Sequence, residues 1–306
     1  MNKLTANFSL YTITFFSAIQ YVFLANVPDS VSSFAFLSVT NFIGFFITLS
    51  VFSGELKRLD KEQVLQAFLL SLELIGFNIF LLLGSRETDA TTTACVLSTY
   101  FVFIVLLLQL FFHERPDRYK RIGILVVFIG VFFMMDADIM SLFNRGVLFL
   151  VISDIFFAAY LLTVERYASS SNPSVIAMGQ TFFNFLIATV CWGIEAALLH
   201  VPFALPKEPK FWGSVFFISF FIRGLYGIVQ IYAQRYVSSL NVALIFSTEI
   251  IMTMLFSPIL ARIFNTQPEV ITPLRLLGAL VMVFGILISD REVAEKLRKG
   301  IAHGQS

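Results

Sequence analysis

Charged residues are scarce in this chain, at 13% of 306 positions, about half the share usual in a soluble domain. Neither sign dominates, with 21 Lys and Arg against 20 Asp and Glu. That balance excludes a strongly basic nucleic-acid binder, whose affinity rests on many phosphate contacts. Cysteine is limited to Cys95 and Cys191, both inside apolar stretches, where the residue behaves as a small hydrophobe. The histidines, His113, His200 and His303, fall in loops or at the ends of apolar segments. G-x-S-x-G is missing, the lone D-x-D is Asp136-Ala-Asp138 in a polar break, and no metal-ligand spacing occurs. An intramembrane lipid-processing enzyme is therefore a remote alternative, and neither a metal nor a cofactor is expected. The lack of a G-x-x-x-x-G-K-[ST] loop excludes an ATP-driven pump. Long polar segments are also missing, which leaves a sensor no soluble domain to signal through.

What the chain has instead is apolar residues, 58% of the total and 37 of them Phe, with a mean hydropathy of +0.84. No soluble surface absorbs that excess, so the expectation is an all-α integral membrane protein whose first partner is the lipid bilayer. A helix needs about 20 apolar residues to cross it. Cutting at the polar breaks gives ten spans, at about 8–26, 31–53, 64–84, 90–112, 121–138, 146–165, 174–198, 211–233, 239–262 and 274–290. The first run lacks a small-residue cleavage site and reads as a retained span. Of nine prolines only Pro258 lies well inside a span, where a kink is expected.

Lys and Arg in short loops mark the cytoplasmic side. With the N-terminus inside, that side collects Lys3, Lys57, Arg58, Lys61, Arg115, Arg118, Lys120, Arg121, Arg166, Arg235, Arg291, Lys296, Arg298 and Lys299. The outer side receives only Arg86, Arg145, Lys207, Lys210, Arg262 and Arg275. The bias supports ten spans with both termini cytoplasmic, and a bacterial inner membrane is the default setting.

The chain also repeats itself. The fifth span reads GILVVFIG from Gly123 to Gly130, and the tenth reads GALVMVFG from Gly278 to Gly285. Ala94 to Thr99, ACVLST, parallels Ala243 to Thr248, ALIFST, 149 residues later. Five spans per half is an odd number, so the second half enters the membrane reversed. The expected units are residues 1–140 and 141–290, two inverted five-helix repeats, followed by a cytoplasmic tail at 291–306. Inverted repeats of this kind mark secondary transporters, with the substrate at midplane between the halves.

At its repeat ends the sequence resembles the EamA-like branch of the drug/metabolite transporter superfamily. The resemblance rests on LSTYFVFIVLLLQLFFHERPDRYKRIG, where Glu114 and Arg115 take the family's Glu-Arg pair, and on IFSTEIIMTMLFSPILARIFNTQPEVITPLRLLG. Glu249 holds the acidic place of the family's Glu-Pro step with Ile250 in place of proline, and Glu269 that of the second Glu-Arg with Val270 in place of arginine. Ser17-Ala18 stands where a Trp-Gly is common. The resemblance implies a carrier whose third, fourth, eighth and ninth spans surround a central cavity, with export the commoner direction.

Five ionisable groups fall within spans: Glu73, Asp154, Glu195, Arg223 and Glu249. Such groups are costly in lipid and usually face a cavity or a partner. Arg223 suits a substrate carboxylate or phosphate, and Glu249 or Glu73 suits a substrate amine or a coupling proton. The alternative is a permanent Glu73–Arg223 ion pair. Asp154 is open to satisfaction by a neighbouring hydroxyl, and Glu195 to reaching the outer interface. Gln20, Asn41, Tyr100, Gln180, Asn184, Tyr226, Gln230 and Thr248 are the uncharged candidates, and Phe77 and Phe220 the aromatic ones. The expected function is secondary transport of a small polar metabolite by a monomer or homodimer. Amino acids or related zwitterions come first, amphipathic amines or drugs second and nucleotide sugars third.

Overall fold

A computed structural model describes residues 2–28, 30–58, 60–138, 140–168, 171–199, 205–264 and 269–289; the expected tail at 291–306 lies outside them. All regular elements among these residues are helical. They are α1 (Lys3–Ala25), α2 (Ser33–Phe52), α3 (Lys61–Glu87), α4 (Ala90–Leu97), α5 (Tyr100–Phe112), α6 (Arg118–Met134) and α7 (Arg145–Ala168). Then come α8 (Pro173–Leu199), α9 (Pro209–Phe217), α10 (Gly227–Ala233), α11 (Ser239–Phe246), α12 (Glu249–Phe264) and α13 (Pro273–Ser289). The polar breaks in the sequence become helix caps: Asn2, Ser32, Asp60, Asp89, Asp117 and Ser238 each accept a backbone N–H of the helix that follows. These residues fill the otherwise unmet donors of a first turn.

Eight helical segments are long and apolar enough to cross a bilayer, counting α4–α5, α9–α10 and α11–α12 as one each. α6 and α13 have 17 residues each, or about 26 Å of rise against a hydrocarbon core of about 30 Å. α12 continues as a helix through Pro258.

Two spans break without proline or glycine. α4 gives way to α5 at Ser98-Thr99, and α11 to α12 at Ser247-Thr248. In both, the serine hydroxyl donates back to a carbonyl of the preceding turn, Ser98 to Ala94 at 2.8 Å and Ser247 to Leu244 at 2.7 Å, a bond that competes with helical pairing. The third irregularity is a π-helical stretch, Ile218–Tyr226, joining α9 to α10.

α6 and α13 cross closely along their glycines. A Cβ on Gly123 would lie 2.6 Å from the Gly285 carbonyl oxygen, and one on Gly285 3.0 Å from that of Gly123. Gly130 and Gly278 are paired in the same way, at 2.9 and 2.7 Å. The first glycine of one motif thus meets the second of the other, so the two helices run antiparallel. Because backbone is the obstacle, Gly278→Ala is expected to destabilise the protein by about 1–3 kcal/mol. Thermal unfolding in detergent checks this, and an unchanged midpoint would contradict the close crossing.

Polar contacts sort the helix ends into two groups. One end joins Arg86 to the Val31 carbonyl (2.7 Å), Arg145 to Glu87 (3.6 Å), Lys210 to the Phe264 carbonyl (2.7 Å), and Arg275 to Asp89 (3.2 Å) and Asp136 (2.9 Å). The other joins Asn172 to Glu55 (2.8 Å) and Glu165 to the Ser239 amide (2.7 Å), and includes the Arg235–Ser171 bond. The first group carries four of the six basic residues that charge bias assigns to the outer side, Arg86, Arg145, Lys210 and Arg275.

Candidate functional site

The two broken spans, α1 to α3, α7, α8, the π-helical stretch and α10 enclose a central cavity. It is narrow, with ≈ 50 Å³ open to water centres, room for a few waters. Its charged lining residues, among those described, are Arg223 and Glu249. Both are buried, at 8% and 5% exposure.

Arg223 owes its position to two local features. It sits inside the π-helical stretch, a geometry that recurs at functional sites, and it faces Gly44 of α2. A Cβ on Gly44 would come within 2.5 Å of the Arg223 Cβ, so only glycine lets α2 approach this closely. The guanidinium donates from Nη1 to Asn78 Oδ1 at 2.8 Å, while Nε has no partner. No carboxylate among the described residues lies within ion-pair distance of it.

Glu249 opens α12 directly after the Ser247-Thr248 break. Its Oε2 accepts a 2.5 Å hydrogen bond from the Tyr21 hydroxyl, and Oε1 has no partner. Tyr100, which stands at the matching place after the first break, also lines the cavity and lies 3.5 Å from the Ala243 carbonyl oxygen. The apolar wall centres on Phe157, which stacks on Phe77 at 4.5 Å and meets Tyr100 edge-on at 5.1 Å.

Of the eight uncharged polar candidates, Gln20, Asn41, Tyr100, Gln180, Tyr226 and Gln230 line this space, and Thr248 does not. Asn184 and Phe77 line it too. Several are held by neighbours, Gln20 donating to Ser17 at 2.8 Å, Gln180 to Tyr160 at 3.1 Å and Gln230 to Gln234 at 3.2 Å.

Glu73 is placed elsewhere. Its Oε1 accepts from Thr163 of α7 at 2.8 Å, it is not part of the cavity lining, and it forms no ion pair with Arg223, whose partner on α3 is Asn78. Asp154, fully buried outside the lining, accepts from Thr99 at 2.6 Å and so pins the first break. Glu195 accepts from the Ser32 hydroxyl that caps α2. Thr248, in the second break, donates back to the Ile245 carbonyl of α11, and Phe220 is exposed.

Sequence reasoning missed Asn78, Tyr21 and Tyr160 as lining residues. Spacing carried part of the signal, since Tyr21 follows Gln20 and Asn78 follows Phe77. The search for charge on the third span fixed on Glu73 and passed over the amide five residues on.

Comparison with known proteins identifies this architecture. The model of the EamA-like transporter family matches residues 4–136 and again residues 144–289. The chain belongs to the EamA-like transporter family. It is 27% identical over 271 residues to an uncharacterized transporter of Archaeoglobus fulgidus, covering 87% of this chain and 79% of that one. A second uncharacterized transporter from the same organism is 24% identical over 167 residues, 53% of this chain and 58% of that protein. A solved crystal structure superposes with a TM-score of 0.67 over 96% of this chain and 98% of the other, at 15% identity; that likeness concerns the fold alone. This EamA-like transporter is thus a multi-pass membrane protein, and its central cavity lies inside the helical bundle.

Proposed function

We infer that this protein is a secondary transporter that moves a small zwitterionic metabolite, amino-acid-like, through the central cavity by alternating access. The observation that carries the reading is the cavity itself, where one buried cation and one buried carboxylate have no counter-ion among the described residues and retain free polar atoms. Leaving buried charge uncompensated is costly, and a ligand bearing both signs supplies what each lacks. A nucleotide sugar brings several negative charges to a single arginine, a poorer match. We take residues 1–140 and 141–290 as two inverted five-span repeats. The reciprocal glycine pairs, the matching Ser-Thr breaks and the twofold family match support this division. In this reading α6 and α13 also cross the membrane, the C-terminal end of α6 and the N-terminal end of α13 meeting at the Asp136–Arg275 contact. The protein acts in an inner (plasma) membrane with both termini cytoplasmic, as a monomer or homodimer, and export is its working direction.

Flux of labelled solutes into liposomes carrying the protein, with and without a pH gradient, tests the reading. Saturable flux of a zwitterion supports it. Flux confined to amines without a carboxylate would favour an exporter of amphipathic amines, and no flux above empty liposomes would overturn it.

Alternating access needs a closure at each end. At the outer end the α12–α13 connection grips the first half: Glu269 accepts from the Ala90 amide (2.7 Å) and from Thr91, while Arg275 holds Asp89 and Asp136. Asp136 also accepts from Thr272 at 2.5 Å. Burial pushes the Asp136 carboxyl up, but the bonds from Thr272 and Arg275 and the Arg275 charge outweigh it and hold the group below the usual carboxylate range. A depressed carboxylate contributes above its unfolded pKa, about 3.9, and loses its contribution as pH falls through the folded value. The clamp is therefore expected to hold unchanged from pH 5 to 8. Arg275→Ala removes about 1–2 kcal/mol of it after allowance for partial exposure. A thiol reagent added outside should then label a cavity cysteine about 5–30-fold faster; an unchanged rate would mean that the clamp is no gate.

A further inference from the structure

We propose that Arg223, Asn41 and Asn184 form a subsite for a single planar carboxylate, and that Asn78 is the positioning residue that aims the guanidinium at it. The proposal rests on the transport reading and specifies the anionic end of its substrate. Asn184 is fully buried, and neither its Oδ1 nor its Nδ2 has a hydrogen-bond partner. Asn41, equally buried, donates to the Leu37 carbonyl at 2.8 Å and leaves Oδ1 free. Buried polar groups are ordinarily paired, so three residues with unpaired polar atoms in one cavity lining mark a place built for something polar.

The helices bring them to one level. Gly44 presses α2 against the Arg223 Cβ, and Asn41 lies one turn before Gly44 on the same face. α2 and α8 are held in register by Thr48–Thr181 at 3.1 Å and Ser38–Thr189 at 2.7 Å. Asn184 falls between those two rungs, level with Asn41 and Gly44. The free donors are then the Arg223 Nε edge and the Asn184 Nδ2. That set matches the two oxygens of a carboxylate, for which a guanidinium edge is shaped. It is too small for a phosphate dianion, which brings a second charge and further acceptors. Asn41 Oδ1, an acceptor, suits a hydroxyl or ammonium hydrogen next to the carboxylate. Asn78 occupies Nη1 without neutralising it, so the full positive charge remains for the ligand.

The test is thermal unfolding of the detergent-purified protein with acetate or benzoate, against acetamide, benzamide, phosphate and chloride at equal ionic strength. The carboxylates should raise Tm by about 2 °C or more, and the other probes should not. Arg223→Met and Asn184→Ala should remove the shift. Asn78→Asp should also remove it, by supplying an internal counter-ion, whereas Asn78→Gln, which keeps a neutral acceptor, should retain part of it. No carboxylate shift, an equal shift from the amides or phosphate, or a shift that survives Arg223→Met would overturn the subsite. Zwitterion flux without carboxylate preference would sink the subsite and leave transport standing. Carboxylate binding without flux of any solute would do the reverse.

Discussion

Arg223→Met is expected to leave a folded protein that no longer transports. Removing a buried cation relieves a desolvation penalty, and a methionine fills similar space beside α2, so insertion and detergent stability should survive. Flux should not. Truncating one side of a buried, hydrogen-bonded charge pair typically costs 2–5 kcal/mol or more, which corresponds to about 30-fold to several-thousand-fold in binding. Arg223→Lys separates charge from shape: the ammonium keeps the positive charge but loses the fork. An intermediate loss, on the order of 10-fold to 100-fold, is therefore expected. Concentration-dependent flux in liposomes gives both numbers. Full activity in Arg223→Met would show that the cation is only a structural group held by Asn78.

The second large effect belongs to Glu249. Among the described residues it is the one carboxylate lining the cavity, and we propose it as the group that exchanges a proton against substrate. Glu249→Gln keeps an oxygen to accept the Tyr21 hydroxyl bond while removing the titrating group. One pH unit is worth about 1.4 kcal/mol per proton, so a one-unit gradient coupled to one proton sustains up to about tenfold accumulation. In Glu249→Gln that ratio should fall to one, with downhill exchange retained. Gradient-driven accumulation that persisted in the variant would exclude Glu249 as the sole coupling residue.

The sequence made the helical bundle legible because lipid imposes a simple rule, apolar runs separated by capping residues. Asp60, Asp89, Asp117 and Ser238 stand at breaks read directly from polarity. The motifs GILVVFIG and GALVMVFG proved informative beyond their similarity, since their glycines face one another across α6 and α13. Position within a span was also readable, and Arg223 and Glu249, both picked out as ionisable groups inside spans, line one cavity. Direction around a helix was not. Glu73 and Asn78 lie five residues apart on α3, close enough in depth to look interchangeable, yet one faces Thr163 of α7 and the other Arg223. Nor does sequence announce the π-helical stretch at Ile218–Tyr226, which sets where the Arg223 side chain projects. Charge is rare within the spans, and the partner of Arg223 is a neutral amide, Asn78, rather than the carboxylate that charge pairing suggests.

The central claim is that one cavity opens alternately to the two sides of the membrane. The most direct measurement replaces Cys95 and Cys191, introduces Ile228→Cys in the cavity wall, and applies a membrane-impermeant thiol reagent to right-side-out and inside-out vesicles separately. Labelling is expected from both sides, slowed in each case by transported substrate. Labelling from one side only, whether or not substrate is present, would contradict alternating access through this cavity.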